Sequence, residues 1–219
     1  MSDFVNARQK MVDGQVRTSD VTDPRITEAM LTVPREAFVP VAKQALAYLD
    51  LDLDISEGGS PRYLLKPAVV GKLLQGAEVQ ASDSILVVGC ATGYTAALAA
   101  RLAERVYATD PDPALAERAK AALATIAPSV SVSSAPVLDG DSAHAPFDVI
   151  VLEGATEVAP ESLYRQLNQG GRLVGIFLDG NVKRATIVTR SNDDFGSRTL
   201  FDASAPVIPG LQRKQEFVF

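Results

Sequence analysis

The stretch Ser84–Tyr94, S-I-L-V-V-G-C-A-T-G-Y, constrains the chain more than any other. Four consecutive apolar residues, Ile85 to Val88, run directly into Gly89. A continuous apolar run that ends at a turn residue predicts a strand buried on both faces, the kind found in parallel sheets. The Ala- and Leu-rich stretch from Thr92 to Leu102 predicts a helix. A strand therefore enters a turn of small residues and leaves as a helix. Gly89 has no Cβ, so a ligand can approach the backbone there. The unpaired N–H groups of the helix start and the positive end of its dipole face the same spot. Such a turn suits the ribose and charged tail of a nucleotide-like ligand.

Asp110 ends the next short apolar strand, Arg105 to Thr109. It follows Gly89 at about the 20-residue interval at which an acid binds ribose hydroxyls. Hydroxyls donate and an ionised carboxylate only accepts, so the pairing is chemically apt. A strand-end carboxylate of this kind is expected beside solvent. In the alternative, Gly89 and Gly93 only permit a tight strand–helix turn and Asp110 caps the helix that follows.

Composition narrows the chemistry. Of 219 residues 47% are hydrophobic and 22% charged, ordinary for a globular chain. The single cysteine, Cys90, excludes an internal disulfide and a Cys-rich zinc site, and the single histidine, His144, argues against His-based triads and multi-His metal sites. No metal is expected. The net charge of −6 disfavours nonspecific nucleic-acid binding. No apolar run reaches membrane-spanning length, and the start, M-S-D-F-V-N-A-R, lacks the apolar core of a signal peptide, so a cytoplasmic protein is expected.

In chain order, helices are predicted over 4–16 (ending near Gly14), from Asp23-Pro24 to Val33, and over Val41–Tyr48, with a short helical turn at Arg35–Pro40. The alternation D-L-D-L-D-I, Asp50 to Ile55, predicts a half-buried strand. It lacks the glycine and glutamate of a calcium loop. A loop, Glu57–Pro67, leads to a helix from Pro67 to Gln75. Strands are then expected near 84–88, 105–109, 130–133, 147–151 and 171–178, and helices near 92–103, 112–126 and 160–168, the last ended by Gly170-Gly171. This alternation predicts an α/β fold with a mostly parallel, doubly wound sheet. After Gly180 the pattern becomes a β-hairpin, and Phe217–Phe219 offers a final short strand. The turn reads G-x-A-x-G, with Ala91 and Tyr94 where a dinucleotide fingerprint has glycines. It is close to the G-x-G-x-G of S-adenosylmethionine enzymes and points to a Rossmann-like methyltransferase fold.

Several segments, in order, resemble the protein-L-isoaspartate O-methyltransferase family. They are Arg35–Pro40 (R-E-A-F-V-P), Ala47–Asp50 (A-Y-L-D), Ile85–Tyr94, Asp110, Ala145–Val151 (A-P-F-D-V-I-V) and Leu167–Val174. The resemblance implies methyl transfer from S-adenosylmethionine to the carboxylate of isoaspartyl residues in a protein or peptide, the first step of protein repair. It also implies an N-terminal helical extension with an acceptor-side loop, residues 1–80, packed on a methyltransferase core, 81–219. Cofactor contacts then fall on the turn (Gly89, Cys90, Ala91, Thr92, Gly93), on Asp110 and Pro111, on Val137 and Leu138 near the adenine, and on Glu153.

The acceptor side departs from the family. Leu65 stands where the family has its catalytic serine, Pro206 where it has a late arginine, Ala135-Pro136-Val137 where it has G-D-G, and Val87 where it has a glutamate. No residue is assigned as catalytic on sequence alone. Arg62 and Lys66, which flank Leu65, either pair with an acidic acceptor or are solvated loop charges. Glu153 contacts cofactor or acceptor, or caps a helix. Cys90 is expected to be a packing residue and His144 to be exposed. Asp139 and Asp141 approach the adenine edge or are solvated. Two other functions fit the same residues: a non-catalytic cofactor-binding relative, and a methyltransferase with a different acceptor.

Overall fold

From its N-terminus the chain builds a helical layer before it builds a large sheet. The computed structural model describes residues 2–56, 58 and 60–213. Helix α1, Ser2–Met11, does not stop near Gly14. It widens into a π-turn, Val12–Val16, and tightens into a 3₁₀ turn, Arg17–Ser19, until Asp20 leaves the helical path at φ +65°. Val12 and Val16 are fully buried, and that packing outweighs the roughly 1 kcal/mol helical penalty of a glycine. Helix α2, Pro24–Thr32, begins as expected: the Asp23 carboxylate accepts the Arg25 N–H and Pro24 occupies the first turn. Two 3₁₀ segments, Arg35–Phe38 and Val41–Leu46, follow.

The strand expected over Asp50–Ile55 narrows to β1, Leu53–Asp54. It pairs antiparallel with β2, Tyr63–Leu64, inside the stretch expected to be loop. The ladder stays short because the aspartates take backbone donors themselves: Asp52 accepts the Lys66 N–H and Asp54 the Ser56 N–H.

Helix α3, Pro67–Gly76, leads into the main sheet. Its elements are β3 (Ser84–Val88), α4 (Tyr94–Ala99), β4 (Arg105–Asp110), α5 (Pro113–Ile126), β5 (Ser131–Ser134), β6 (Phe147–Thr156), α6 (Glu161–Tyr164), β7 (Leu167–Asp179), β8 (Val182–Ser191) and β9 (Asp194–Asp202). The spatial order is β5-β4-β3-β6-β7-β8-β9. The strands from β5 to β7 are parallel, and β8 and β9 return antiparallel as the expected hairpin. Helix α6 is a single turn, not the expected span of 160–168, and Gly170-Gly171 lie inside β7. There Leu167 pairs with Phe147, whose N–H donates to the Gln166 carbonyl, so the chain is already in the sheet. The strand expected at Phe217–Phe219 lies outside the described residues.

Strand alternation divides the core. Ile85 and Val87 join the large apolar cluster on the face that carries α1 to α5, whereas Leu86 and Val88 join a smaller one with Leu163, Tyr164 and Ile208. Each fully buried Leu, Ile or Val contributes roughly 1.5–3 kcal/mol, which is why this run fixes the centre of the sheet. Strand β6 runs past its expected end at 151 to Thr156, with a register shift against β7 between Val151 and Ala155. Glu153 and Gly154 (φ +152°) sit in that irregularity. A bulge of this kind re-aims side chains at the carboxyl end of a strand.

Candidate cofactor and acceptor site

The turn after β3 has the expected glycine geometry, but the N–H groups of Cys90, Ala91 and Gly93 are bonded within the protein itself. Gly89 lies at φ +69° and Gly93 at φ +96°, conformations that favour glycine. The Cys90 N–H donates to the Thr109 carbonyl (2.9 Å) and the Gly93 N–H to the Cys90 carbonyl (2.8 Å). Ala91, at φ +53°, aims its N–H at Oδ2 of Asp110, 2.7 Å away. Thr92 turns from the strand ends, its hydroxyl donating to the Phe38 carbonyl at 2.6 Å. At Gly93 a Cβ would lie 2.8 Å from Cδ1 of Leu123, so this glycine serves the packing of α5 on the turn. Cys90 is 1% exposed, and burial pushes its thiol well above the usual range, so it is a packing residue.

Asp110 is fully buried, not beside solvent. Its Oδ1 accepts from the Asp112 N–H (2.9 Å) and Nη1 of Arg62 (2.8 Å), and its Oδ2 from the Ala91 N–H (2.7 Å) and Nη2 of Arg62 (2.7 Å). Arg62 is itself only 5% exposed, and its guanidinium also donates to the Gly89 carbonyl at 2.9 Å. Arg62 is therefore not a solvated loop charge. Capping of α5 falls to Asp112, whose carboxylate accepts the Ala114 N–H, with Pro111 between the two acids.

Glu153 is 4% exposed, and its Oε1 has no hydrogen-bond partner. Burial raises its carboxyl to about 7. The nearby Thr95 hydroxyl, Arg35 and Arg62 pull the other way without offsetting it. It is neither a helix cap nor a surface residue. Leu65, 1% exposed, lies against the same small cavity, of about 10 Å³, together with Arg62, Glu153, Pro206 and Ile208. Lys66 does not line it. It immediately precedes α3 as its N-cap residue, and its N–H donates to Asp52. Val137 is buried on the Ile208 side of the sheet, whereas Leu138 is exposed. Asp141 faces His144, whose ring stacks on Tyr107 at 4.3 Å, and Asp139 is exposed.

Two residues of the site were not singled out by the sequence as site residues, although Arg35 opens the R-E-A-F-V-P segment. Ile208 packs over the turn: a Cβ on Gly89 would stand 3.1 Å from its Cγ2, and one on Gly154 2.6 Å from its Cγ1. It is held there because the Ala155 N–H donates to the Pro206 carbonyl and the Ile208 N–H to the Ala155 carbonyl. Arg35, fully buried, donates through Nε to the Ala47 carbonyl and through Nη2 to the Leu65 carbonyl, and its guanidinium lies 4.7 Å from the centre of the Tyr94 ring. Among the described residues no cluster of His, Cys, Asp or Glu could hold a metal ion, and no helix is long and apolar enough to cross a membrane.

A parallel sheet with this order, a glycine turn after its central strand and an acid at the end of the next define an S-adenosylmethionine-dependent methyltransferase. The family profile described as protein-L-isoaspartate(D-aspartate) O-methyltransferase matches residues 6–202. The chain is 34% identical to the protein-L-isoaspartate O-methyltransferase of Methylorubrum extorquens (strain PA1), over 95% of this chain and 91% of that one. It is 36% identical to that of Methylorubrum populi, over 94% and 96%. The chain belongs to the protein-L-isoaspartate O-methyltransferase family, whose members are S-adenosylmethionine-dependent O-methyltransferases. Its fold matches a solved protein-L-isoaspartate O-methyltransferase with a TM-score of 0.82 at 20% identity, covering 93% of this chain and 67% of that one. It also matches a putative Plasmodium falciparum enzyme in complex with S-adenosyl-L-homocysteine, with a TM-score of 0.78 at 16% identity, covering 93% and 98%.

The residue types suit that cofactor, but their arrangement does not. Both oxygens of the acid that would take the ribose hydroxyls are held by Arg62 and two backbone N–H groups. The cavity at the strand ends holds about 10 Å³, against the roughly 300 Å³ or more of a small-molecule site. In this conformation the residues do not fit S-adenosylmethionine.

Proposed function

We propose that this protein methylates a carboxylate, with isoaspartyl residues of proteins as the acceptor class, and that Glu153 supplies the hydrogen bond a serine at position 65 would give. The observation that carries this reading is the buried carboxyl of Glu153, its Oε1 without a hydrogen-bond partner, beside Leu65 in the cavity at the strand ends. A carboxylate acceptor is already a nucleophile and needs no base, so the protein's task is to orient it and exclude water. Leu65 excludes water but offers no donor, and the Pro206 carbonyl is already an acceptor. An anion brought into such a cavity without donors is costly. Below about pH 7 Glu153 holds a proton and can donate it in a hydrogen bond. The division into an acceptor-side layer, 1–80, and a core, 81–219, belongs to the same reading: Arg35 and Arg62 reach from the first part to the rim of the second.

The test is transfer of a labelled methyl group to an isoaspartyl peptide, with the normal aspartyl peptide as control. Glu153→Ala is expected to lower the rate about 10²- to 10³-fold, the typical effect of losing one preorganised donor. Glu153→Gln keeps a donor, so it should retain most of the rate and lose the decline above pH 7. Equal rates in wild type and Glu153→Ala would remove Glu153 from the reaction. No transfer to the isoaspartyl peptide together with transfer to another carboxylate would reassign the acceptor.

A further inference from the structure

Arg62 lines two cavities at once. One is the small space between Leu65, Glu153 and Pro206. The other, of about 220 Å³, opens on the far side, lined by Ser56, Ser60, Asp112 and Leu115. Arg62 is common to both linings, and its guanidinium is clamped by both oxygens of Asp110 and the Gly89 carbonyl. It comes from outside the core, where the Arg62 N–H donates to the Ser56 hydroxyl and the Ile55 N–H to the Arg62 carbonyl.

We propose that Arg62 is a tethered occupant of the ribose position, a gate that the cofactor must displace from Asp110 before it can bind. A fork-to-fork arginine–carboxylate pair is among the strongest side-chain pairings, stronger than the neutral hydroxyl donors of a ribose. The ligand therefore competes with a built-in rival, and its apparent dissociation constant is the intrinsic one divided by the open fraction. Withdrawal of the side chain frees both oxygens of Asp110 and clears the residue that the two cavities share. Asp112 and Arg118 both line the outer cavity, so the displaced guanidinium meets a carboxylate and a like charge on that wall. The gate also keeps Asp110 paired while the site is empty, which a buried carboxylate requires.

Titration calorimetry of the full chain with S-adenosylhomocysteine tests this without any turnover. Arg62→Ala is expected to bind at least about tenfold tighter than wild type, corresponding to an open fraction of about a tenth or less. Arg62→Lys, which keeps one charge contact but not the fork, should fall between. The melting midpoint of Arg62→Ala without ligand should drop while the rise produced by ligand grows. A purely structural arginine would give the drop without the tighter binding. Equal or weaker binding in Arg62→Ala, or no binding in any form, would overturn the gate. If Arg62→Ala does not fold by circular dichroism, Arg62→Lys decides on the same terms: tighter binding than wild type supports the gate, equal or weaker binding overturns it. The result does not depend on the acceptor, so a chain that ignores isoaspartyl peptides can still show the gate.

Discussion

The Leu65 carbonyl accepts a hydrogen bond from Nη2 of Arg35, 2.8 Å away, so a residue of the N-terminal layer fixes the backbone beside the cavity at the strand ends. The same guanidinium holds the Ala47 carbonyl through Nε at 2.8 Å. Arg35→Ala strips both carbonyls of a charged donor and is expected to cost about 3 kcal/mol, two bonds of roughly 1.5 kcal/mol or more each. The urea midpoint should fall with its slope unchanged. Arg35→Lys, with one ammonium for two diverging acceptors, should lose about half as much. A lysine variant as stable as wild type would show that the fork is not what holds this loop.

Glu153 links stability to pH. Burial lifts its carboxyl from 4.5 to about 7, so within that window the folded chain keeps a proton that the unfolded chain releases. The contribution of this group to stability is therefore greatest below the unfolded value, declines as pH rises through the window, and is flat above it. Glu153→Gln removes the decline. Relative to wild type the variant should gain up to about 3 kcal/mol between acid and neutral pH, because each tenfold change in proton affinity is worth about 1.4 kcal/mol. Urea unfolding at a series of pH values measures the gain, and parallel pH profiles for the two proteins would contradict it.

Gly93 tests whether the glycine turn is shaped for packing as well as for a ligand. A methyl group there would meet Leu123 at 2.8 Å in a backbone conformation, φ +96°, that L-residues rarely adopt. Gly93→Ala should cost about 2–4 kcal/mol, the sum of a left-handed penalty and overpacking. Trimming the neighbour in the Gly93→Ala, Leu123→Ala double variant should recover part of the overpacking. Purely additive losses in the two single variants would rule out the clash.

These sites differ in how far the sequence reveals them. The run Ile85–Val88, the turn that follows it, the Asp23 cap and the terminal hairpin are all local signals of period or turn chemistry, and each appears in the structure. Arg62 is visible in the sequence only as a charge near Leu65. Its pairing with Asp110 joins residues separated by 48 positions, and no periodicity encodes such a contact. Glu153 is readable as an acid beyond a strand, but its burial comes from the extension of β6 and the register shift against β7. The helix expected over 160–168 is cut short by sheet pairing as well. Pairing of Leu167 with Phe147 overrides the local helical pattern. Ile208 is one apolar residue in an irregular segment until two backbone bonds to Ala155 set it over the turn.

The buried pair itself can be weighed. Asp110→Ala leaves the guanidinium of the buried Arg62 with the Gly89 carbonyl as its remaining partner, and also strips the Ala91 and Asp112 N–H groups of their acceptor. Breaking a buried pair from one side typically costs about 3–5 kcal/mol, far more than loss of a solvent-exposed ligand contact. Arg62→Ala should cost less, because Asp110 keeps two backbone donors and water can enter from the outer cavity. In the double variant the unpaired charge is gone, so the total loss should fall short of the sum of the single losses by at least about 1 kcal/mol. Urea denaturation of the four proteins closes the cycle. Losses that simply add would mean that the two side chains touch without depending on each other, and the stability of the empty site would then rest on the backbone donors to Asp110 alone.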